Sequence, residues 1–321
     1  MFFTETLYKQ IFFPFEARAT QRVSQTGGRF AYYTNAETAY KILKNQEIWM
    51  RHTRVMNDYL EVEHGLECIR AAHRHSDAGN EFDRALDSCF PDISKEIADL
   101  FDSWAPIIRQ HTYVTCFSEH SSDDDEFGRL SMWRAYGGSS GVALILNAGA
   151  MLRPSDALQA HSTPVAYMNA ADVANELKAV AKEICANIDY VQSLGATNLK
   201  RAIFDVFRYA SICTKHRSFE EEREWRVITT RILQKSQHLT SEVELIGGIP
   251  QNVLKIKLQD HPEENLTGLQ IASLIDRILI GPCEYPETIK AALSQILINA
   301  GVEDAETKIQ ITGIPLRPNQ R

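Results

Sequence analysis

The chain has 321 residues, 44% of them hydrophobic and 24% charged, which are values of a folded globule and exclude a disordered or fibrous chain. Thirty-four Lys and Arg stand against 42 Asp and Glu, a formal charge of -8 that argues against a broad phosphate-binding face while leaving room for a local basic groove. Six scattered cysteines without a Cys-x-x-Cys pair read as reduced thiols, the N-terminus lacks a basic leader region, and no apolar run approaches the ~18 residues of a membrane span; a cytoplasmic protein is expected, neither secreted nor inserted in a membrane.

Residues 1–28 are an N-terminal lead-in whose Phe12, Phe13 and Phe15 either pack on the domain or mark a partner contact. Arg29 to Thr34 has the aromatic composition of a strand, Asn35 suits a helix N-cap, and Ala39, Ile42 and Leu43 fall on one helix face before a second strand at Ile48, Trp49 and Met50. Residues 57–110 read as helical, with Tyr59, Val62, Leu66 and Ile69 and then Ile93, Ile97, Leu100, Phe101 and Trp104 at helical spacing. Thr112 to Ser118 returns to strand composition, the polar loop SEHSSDDDEFGR follows, and Gly141 to Leu146 is another strand. From Asp172 to Gln192 the set Val173, Leu177, Val180, Ile184, Ile188 and Val191 predicts one long helix ended by Gly195, with another running through Phe207. The last third predicts strands at 224–230, 252–258 and 276–281, a helix at 286–299 and a strand near 307–312. With no internal repeat and no Pro- or Ser-rich linker, the expectation is an α/β (α+β) fold: a mixed β-sheet core in a single domain over 29–321, with helices inserted near 57–110 and 170–210.

Three constellations bear on chemistry. Asn57-Asp58 with Glu61 follows the second strand and suits a turn and helix cap as well as a functional acid pair. In the segment 131–141, Trp133 and Tyr136 flank Gly137 and Gly138: they either stack on a flat ring beside a close-approach glycine turn or form the buried face of a short helix. The pattern G-x-G-x-x-G and the P-loop motif are both absent. In the segment 219–228, an extended chain from Glu222 places Glu222, Glu224 and Arg226 on one face and Trp225 and Val227 on the other; a helix would part the two acids by about 200°. His52, His64, His73 and His75 lack metal-site spacing, Asp123 to Glu126 lacks the alternation of a calcium loop and reads as solvated, and Cys116 reads as a packed strand residue, so no metal is expected.

The succession TYVTCFSE, SMWRAYG with SGVALIL, SFEEEREWRVI, DRILIGPCEYPE and ITGIPLR resembles the bacterial domain-of-unknown-function family 2971 in order and spacing from about Tyr32 to Leu316, with Asn57, Asp58 and Glu61 matching a family element and Tyr59 standing where the family often has proline. A second, weaker similarity is to the ADP-ribosyltransferase superfamily, carried by Tyr33, Ser118 and the pair Glu222/Glu224 in that order. It implies NAD as co-substrate, a protein or nucleic acid as acceptor, Glu224 stabilising an oxocarbenium-like state and Glu222 orienting the nucleophile. It further implies Trp133 or Tyr136 stacking on nicotinamide and Arg226 as a phosphate partner or the ion-pair mate of Glu224. Two other functions fit the same residues: a non-catalytic small-ligand or protein binding or regulatory module, and a metal-dependent hydrolase or nuclease using Asp58, Glu61 and the later glutamates.

Overall fold

A computed structural model describes residues 2–56, 61–153, 155–233 and 235–315, so Asn57 and Asp58 lie outside the described residues and Glu61 is placed only as the first residue of a helix. In chain order the elements are helices α1 (Phe2–Phe12) and α2 (Pro14–Gln25), strand β1 (Arg29–Asn35), helix α3 (Ala36–Asn45) and strand β2 (Glu47–His52). Helices α4 (Glu61–Arg74), α5 (Asp77–Cys89) and α6 (Ile93–His111) precede β3 (Thr112–His120), α7 (Leu130–Tyr136), β4 (Ser140–Asn147) and α8 (Gly149–Leu152). Strands β5 (His161–Pro164) and β6 (Ala166–Tyr167), helices α9 (Ala170–Ala186), α10 (Ile188–Ser193) and α11 (Ala196–Cys213) and strand β7 (Thr214–Lys215) follow. The chain continues through β8 (Glu224–Thr230), the hairpin of β9 (Leu239–Ile246) and β10 (Ile249–Lys257), α12 (Ile271–Leu274), β11 (Ile275–Cys283), α13 (Pro286–Asn299) and β12 (Ile309–Ile311).

The fold is α/β, with a mixed ten-stranded sheet. Its order is β12-β11-β4-β1-β3-β2-β10-β9, with β8 pairing β3 and β5; β6 and β7 form a separate parallel pair. Only β11 and β12 pair in parallel among the registered neighbours of the large sheet; β1 runs antiparallel to both β3 and β4, setting Ala31 opposite Ser118 and Tyr33 opposite Ala143. The run Val142 to Leu146 and the run Ile278 to Ile280 are almost fully buried, which is why these strands read as continuous apolar stretches rather than alternating ones. Asn35 caps α3 by accepting from the Thr38 N–H at 2.8 Å, and Ala39, Ile42 and Leu43 are its buried face.

The chain divides into two compact units, one from the described residues of 1–21, 53–112 and 163–220, the other from those of 22–52, 113–162 and 221–321. The first is helical and gathers both predicted insertions with α1 around a core in which Phe207 packs against Phe82 and Phe101 at centroid distances of 5.9 and 5.3 Å. The lead-in up to Gln21 belongs to this framework, with Ile11 and Phe12 buried. The single helix expected over 172–192 is two, because Asn187 adopts φ -123, ψ 33 between α9 and α10 and breaks the hydrogen-bond ladder while the apolar spacing continues. The second unit holds most of the sheet and every residue of the site below. Among the described residues no helix is long and apolar enough to cross a membrane.

Candidate functional site

The loop between β3 and α7 is expected from its composition to be solvated, and Ser122, Asp123 and Glu126 are exposed, but the two acids between them are not free in solvent. Asp124 is buried, closes a capping box with Ser121, and lies 3.5 Å from the Arg223 guanidinium. Asp125 accepts two hydrogen bonds from Arg29, at 2.8 and 3.1 Å, and one from His120 at 2.9 Å. Burial acts to raise the Asp125 pKa, but the Arg29 and His120 hydrogen bonds outweigh it and hold the carboxyl below its ordinary range. Of the four acidic residues in a row, the middle two, Asp124 and Asp125, therefore serve as an anchor, because Arg29 of β1, His120 of β3 and Arg223 at the β8 junction converge on them, while Asp123 and Glu126 stay exposed.

That anchored loop delivers Gly128 and Arg129. Gly128 has φ +64 and donates its N–H to the Asp124 carbonyl at 2.8 Å; a Cβ there would sit 2.9 Å from the Tyr33 hydroxyl, so both conformation and space require glycine. The Arg129 N–H then donates to the Tyr33 hydroxyl at 3.0 Å. Its guanidinium donates to the Ser118 hydroxyl and the Glu221 carbonyl, and also reaches the Glu222 and Glu119 carbonyls at 3.3 and 3.4 Å. Ser118 in turn donates to the Glu222 carbonyl, and the Tyr136 hydroxyl donates to the Glu222 carboxylate at 3.2 Å. Burial pushes the Tyr33 phenol up against the opposing pull of Arg129, so it stays protonated at neutral pH.

Four expected site residues, Tyr33, Ser118, Tyr136 and Glu222, are thus brought together by Arg129, which the sequence reading missed. The signal that points to it is a lone arginine closing an acidic loop, directly after a glycine.

The other expected residues are placed differently. Glu222 ends a 3-10 turn (Arg217–Glu222), and Arg223 has φ 44, so the period-2 alternation starts at Glu224 and does not extend back to Glu222. Glu224 is 7% and Arg226 2% exposed, and the two side chains of β8 form a bidentate pair at 2.8 and 3.0 Å. Arg226 is therefore the ion-pair mate of Glu224, the second of its two expected roles. Trp225 faces Phe30 and donates to the Ser162 hydroxyl at 2.7 Å, so β8 is covered on both faces.

Trp133 is 2% exposed and has no free stacking face. Its indole donates to the Phe127 carbonyl at 2.7 Å and meets Tyr33 edge-on at 4.9 Å. It lies on Gly281, where a Cβ would come within 2.6 Å of the ring. The buried-helix-face alternative is the one this geometry follows. The exposed apolar side chains at this place are Phe127, 49% exposed, and Leu130, 43% exposed, on either side of Gly128 and Arg129.

Among the described residues no group of three or more His, Cys, Asp or Glu is placed to hold a metal ion. His64 meets the Met168 carbonyl at 3.1 Å and the Cys68 thiol at 3.7 Å, and His73 meets the Asp83 carboxylate at 2.8 Å.

Residues 132–227, from α7 to the middle of β8, match the family model described as "Protein of unknown function (DUF2971)". This supports the family resemblance over a segment that contains Trp133, Tyr136 and Glu222 to Arg226. No curated protein and no solved structure matches the chain.

Proposed function

We propose that the Arg129 junction is the substrate site of a cytoplasmic, NAD-dependent ADP-ribosyltransferase-like enzyme in which Glu222, and not Glu224, is the carboxylate offered to substrate. One observation carries this reading: Glu222 is half-buried and held by the Tyr136 hydroxyl at 3.2 Å, while its backbone is fixed by Ser118 and Arg129, whereas the Glu224 carboxylate is committed to Arg226 inside the core. A carboxylate that is oriented yet partly open is the state needed by a group that interacts with charge developing on a substrate.

In the proposed reaction the bond between the ribose C1′ of NAD and nicotinamide breaks, nicotinamide leaves with the electron pair, and a protein or nucleic-acid nucleophile bonds to C1′ and releases its proton. Glu222 lowers the energy of the cationic sugar and takes up a ribose hydroxyl hydrogen bond; Tyr136 and Arg129 keep it oriented. Phe127 supplies the apolar surface that the buried Trp133 does not.

A second reading, a non-catalytic small-ligand or protein binding module, draws support from the bidentate, fully buried Glu224 and Arg226 pair, a structural use of the acidic motif. The two separate in one experiment: wild type is incubated with NAD and candidate protein or nucleic-acid acceptors, and nicotinamide release is compared with that of Glu222→Gln. Release by wild type that falls at least ~10²-fold in the variant is expected. No release with any acceptor assigns the junction to the binding module.

A further inference from the structure

The last strand of the sheet has an edge that is built to be met. Among the described residues no strand pairs with the outer side of β9. Its register with β10 runs without a bulge from Leu239 opposite Ile256 to Ile246 opposite Ile249, and its sequence, LTSEVELI, contains neither proline nor lysine. Free edges are ordinarily blunted by those devices.

The two faces of β9 differ in chemistry. Val243 and Leu245 lie on one face with Ser241; they are 67% and 66% exposed, and Pro250, opposite Leu245, is exposed as well, so this face is uncharged. Glu242 and Glu244 lie on the other face, each 2.5 Å from Lys255 Nζ, which also approaches Glu47 at 3.3 Å; Lys257 meets Glu47 at 2.5 Å. Arg51 lies on the same face, opposite Val253 and bonded to Gln251, so the cations of this face stand on β2 and β10 while the outermost strand presents only the two carboxylates, and Glu242 remains half open to solvent.

We propose that the outer edge of β9 accepts, as an added strand, an extended segment of a partner protein in which apolar and basic residues alternate. Backbone pairing would extend the sheet, the apolar side chains would cover Val243 and Leu245, and the basic ones would lie opposite Glu242 and Glu244 on the outermost strand. A second copy of this chain is the poorer occupant: antiparallel pairing of β9 with itself that sets Val243 opposite its own counterpart also sets Glu242 opposite Glu244, like charge against like. The inference is independent of the transferase reading.

The test uses the full chain and two short synthetic peptides, one alternating valine with lysine and one alternating valine with glutamate. Binding is followed by fluorescence anisotropy and by hydrogen exchange of the β9 amides. The expected result is slowed exchange in β9 with the lysine peptide only, and at least ~10-fold weaker binding by Val243→Lys and Leu245→Lys, which add a repelling charge at exposed positions and leave the melting temperature unchanged. Equal protection by both peptides, or none by either, overturns the proposal. β9 amides already protected without peptide, together with a concentration-dependent dimer in sedimentation, overturn it in favour of a second copy.

Discussion

Glu222 and Glu224 are separated by a single residue and in opposite physical situations. Arg223, in the left-handed region, turns the chain from a 3-10 turn into β8 between them. On one side of that turn the Glu222 carboxylate is half-buried and meets a neutral phenol; on the other the Glu224 carboxylate is desolvated and matched by a guanidinium fork. Removing water from a charge is costly unless a partner of good geometry replaces it, so the second acid is part of the framework while the first keeps part of its surface in solvent.

The sharpest way to break that contrast is to remove one partner from each side. Arg226→Ala takes the guanidinium fork away from the buried Glu224 carboxylate and should cost about 3–5 kcal/mol in urea unfolding. The double variant Glu224→Leu/Arg226→Leu should recover most of that loss, since a buried pair is often replaceable by apolar packing. An Arg226→Ala variant as stable as wild type would mean that Glu224 reaches water, and the distinction between the acids would disappear.

On the Glu222 side the expected effects are reversed. Glu222→Gln should change stability by no more than about 0.5 kcal/mol while removing nearly all nicotinamide release. Tyr136→Phe, which deletes one hydrogen bond to a carboxylate and keeps the ring, should reduce turnover about 10-fold with a smaller change in half-saturation. Phe127→Ala should do the converse, raising the half-saturation for NAD with turnover preserved. If Glu224→Gln abolished release in a variant of undiminished stability while Glu222→Gln did not, the two roles would have to be exchanged.

The parts of this architecture that the sequence makes legible are those fixed by local periodicity and caps. Asn35 with Ala39, Ile42 and Leu43 declares α3, and the apolar run Val142 to Leu146 declares a buried strand, because both depend on neighbours a few residues away. Tyr33, Ser118, Tyr136 and Glu222 could be singled out by residue type and order, and they do meet. Arg129 could not, because its partners are backbone carbonyls of residues 119, 221 and 222, brought near by the pairing of β3 with β8. The same pairing defeats the alternation drawn through Glu222: Glu119 donates its N–H to the Arg223 carbonyl at 2.8 Å where the chain changes direction, a constraint imposed from a distant part of the sequence. β9 was missed for a different reason. Its exposed Val243 and Leu245 and its charged Glu242 and Glu244 give no buried face to recognise.

A smaller effect concerns the loop that carries Arg129, and its sign separates two forces. His120 is buried, donates toward Asp125 through Nε2, and its Nδ1 has no hydrogen-bond partner. Burial lowers its pKa, the Asp125 hydrogen bond raises it, Arg29 lowers it again, and burial prevails, leaving the imidazole below its ordinary value. Asp125 is likewise held low, although burial alone would raise it, because Arg29 and His120 donate to it. For both groups the unfolded chain takes up a proton at a higher pH than the folded one. Their contribution to stability is therefore complete above the unfolded values of about 6.5 for His and 3.9 for Asp, and is lost as pH falls through the folded ones. Urea unfolding followed from pH 8 to pH 3 should show stability declining below neutrality, first through His120 and then through Asp125, with the upper part of the decline flattened in His120→Asn. Were stability to rise as pH drops through 6.5, the imidazolium would be the favoured partner of Asp125; the attraction between them would then outweigh burial, and the loop under Arg129 would be held by an ion pair that acid strengthens.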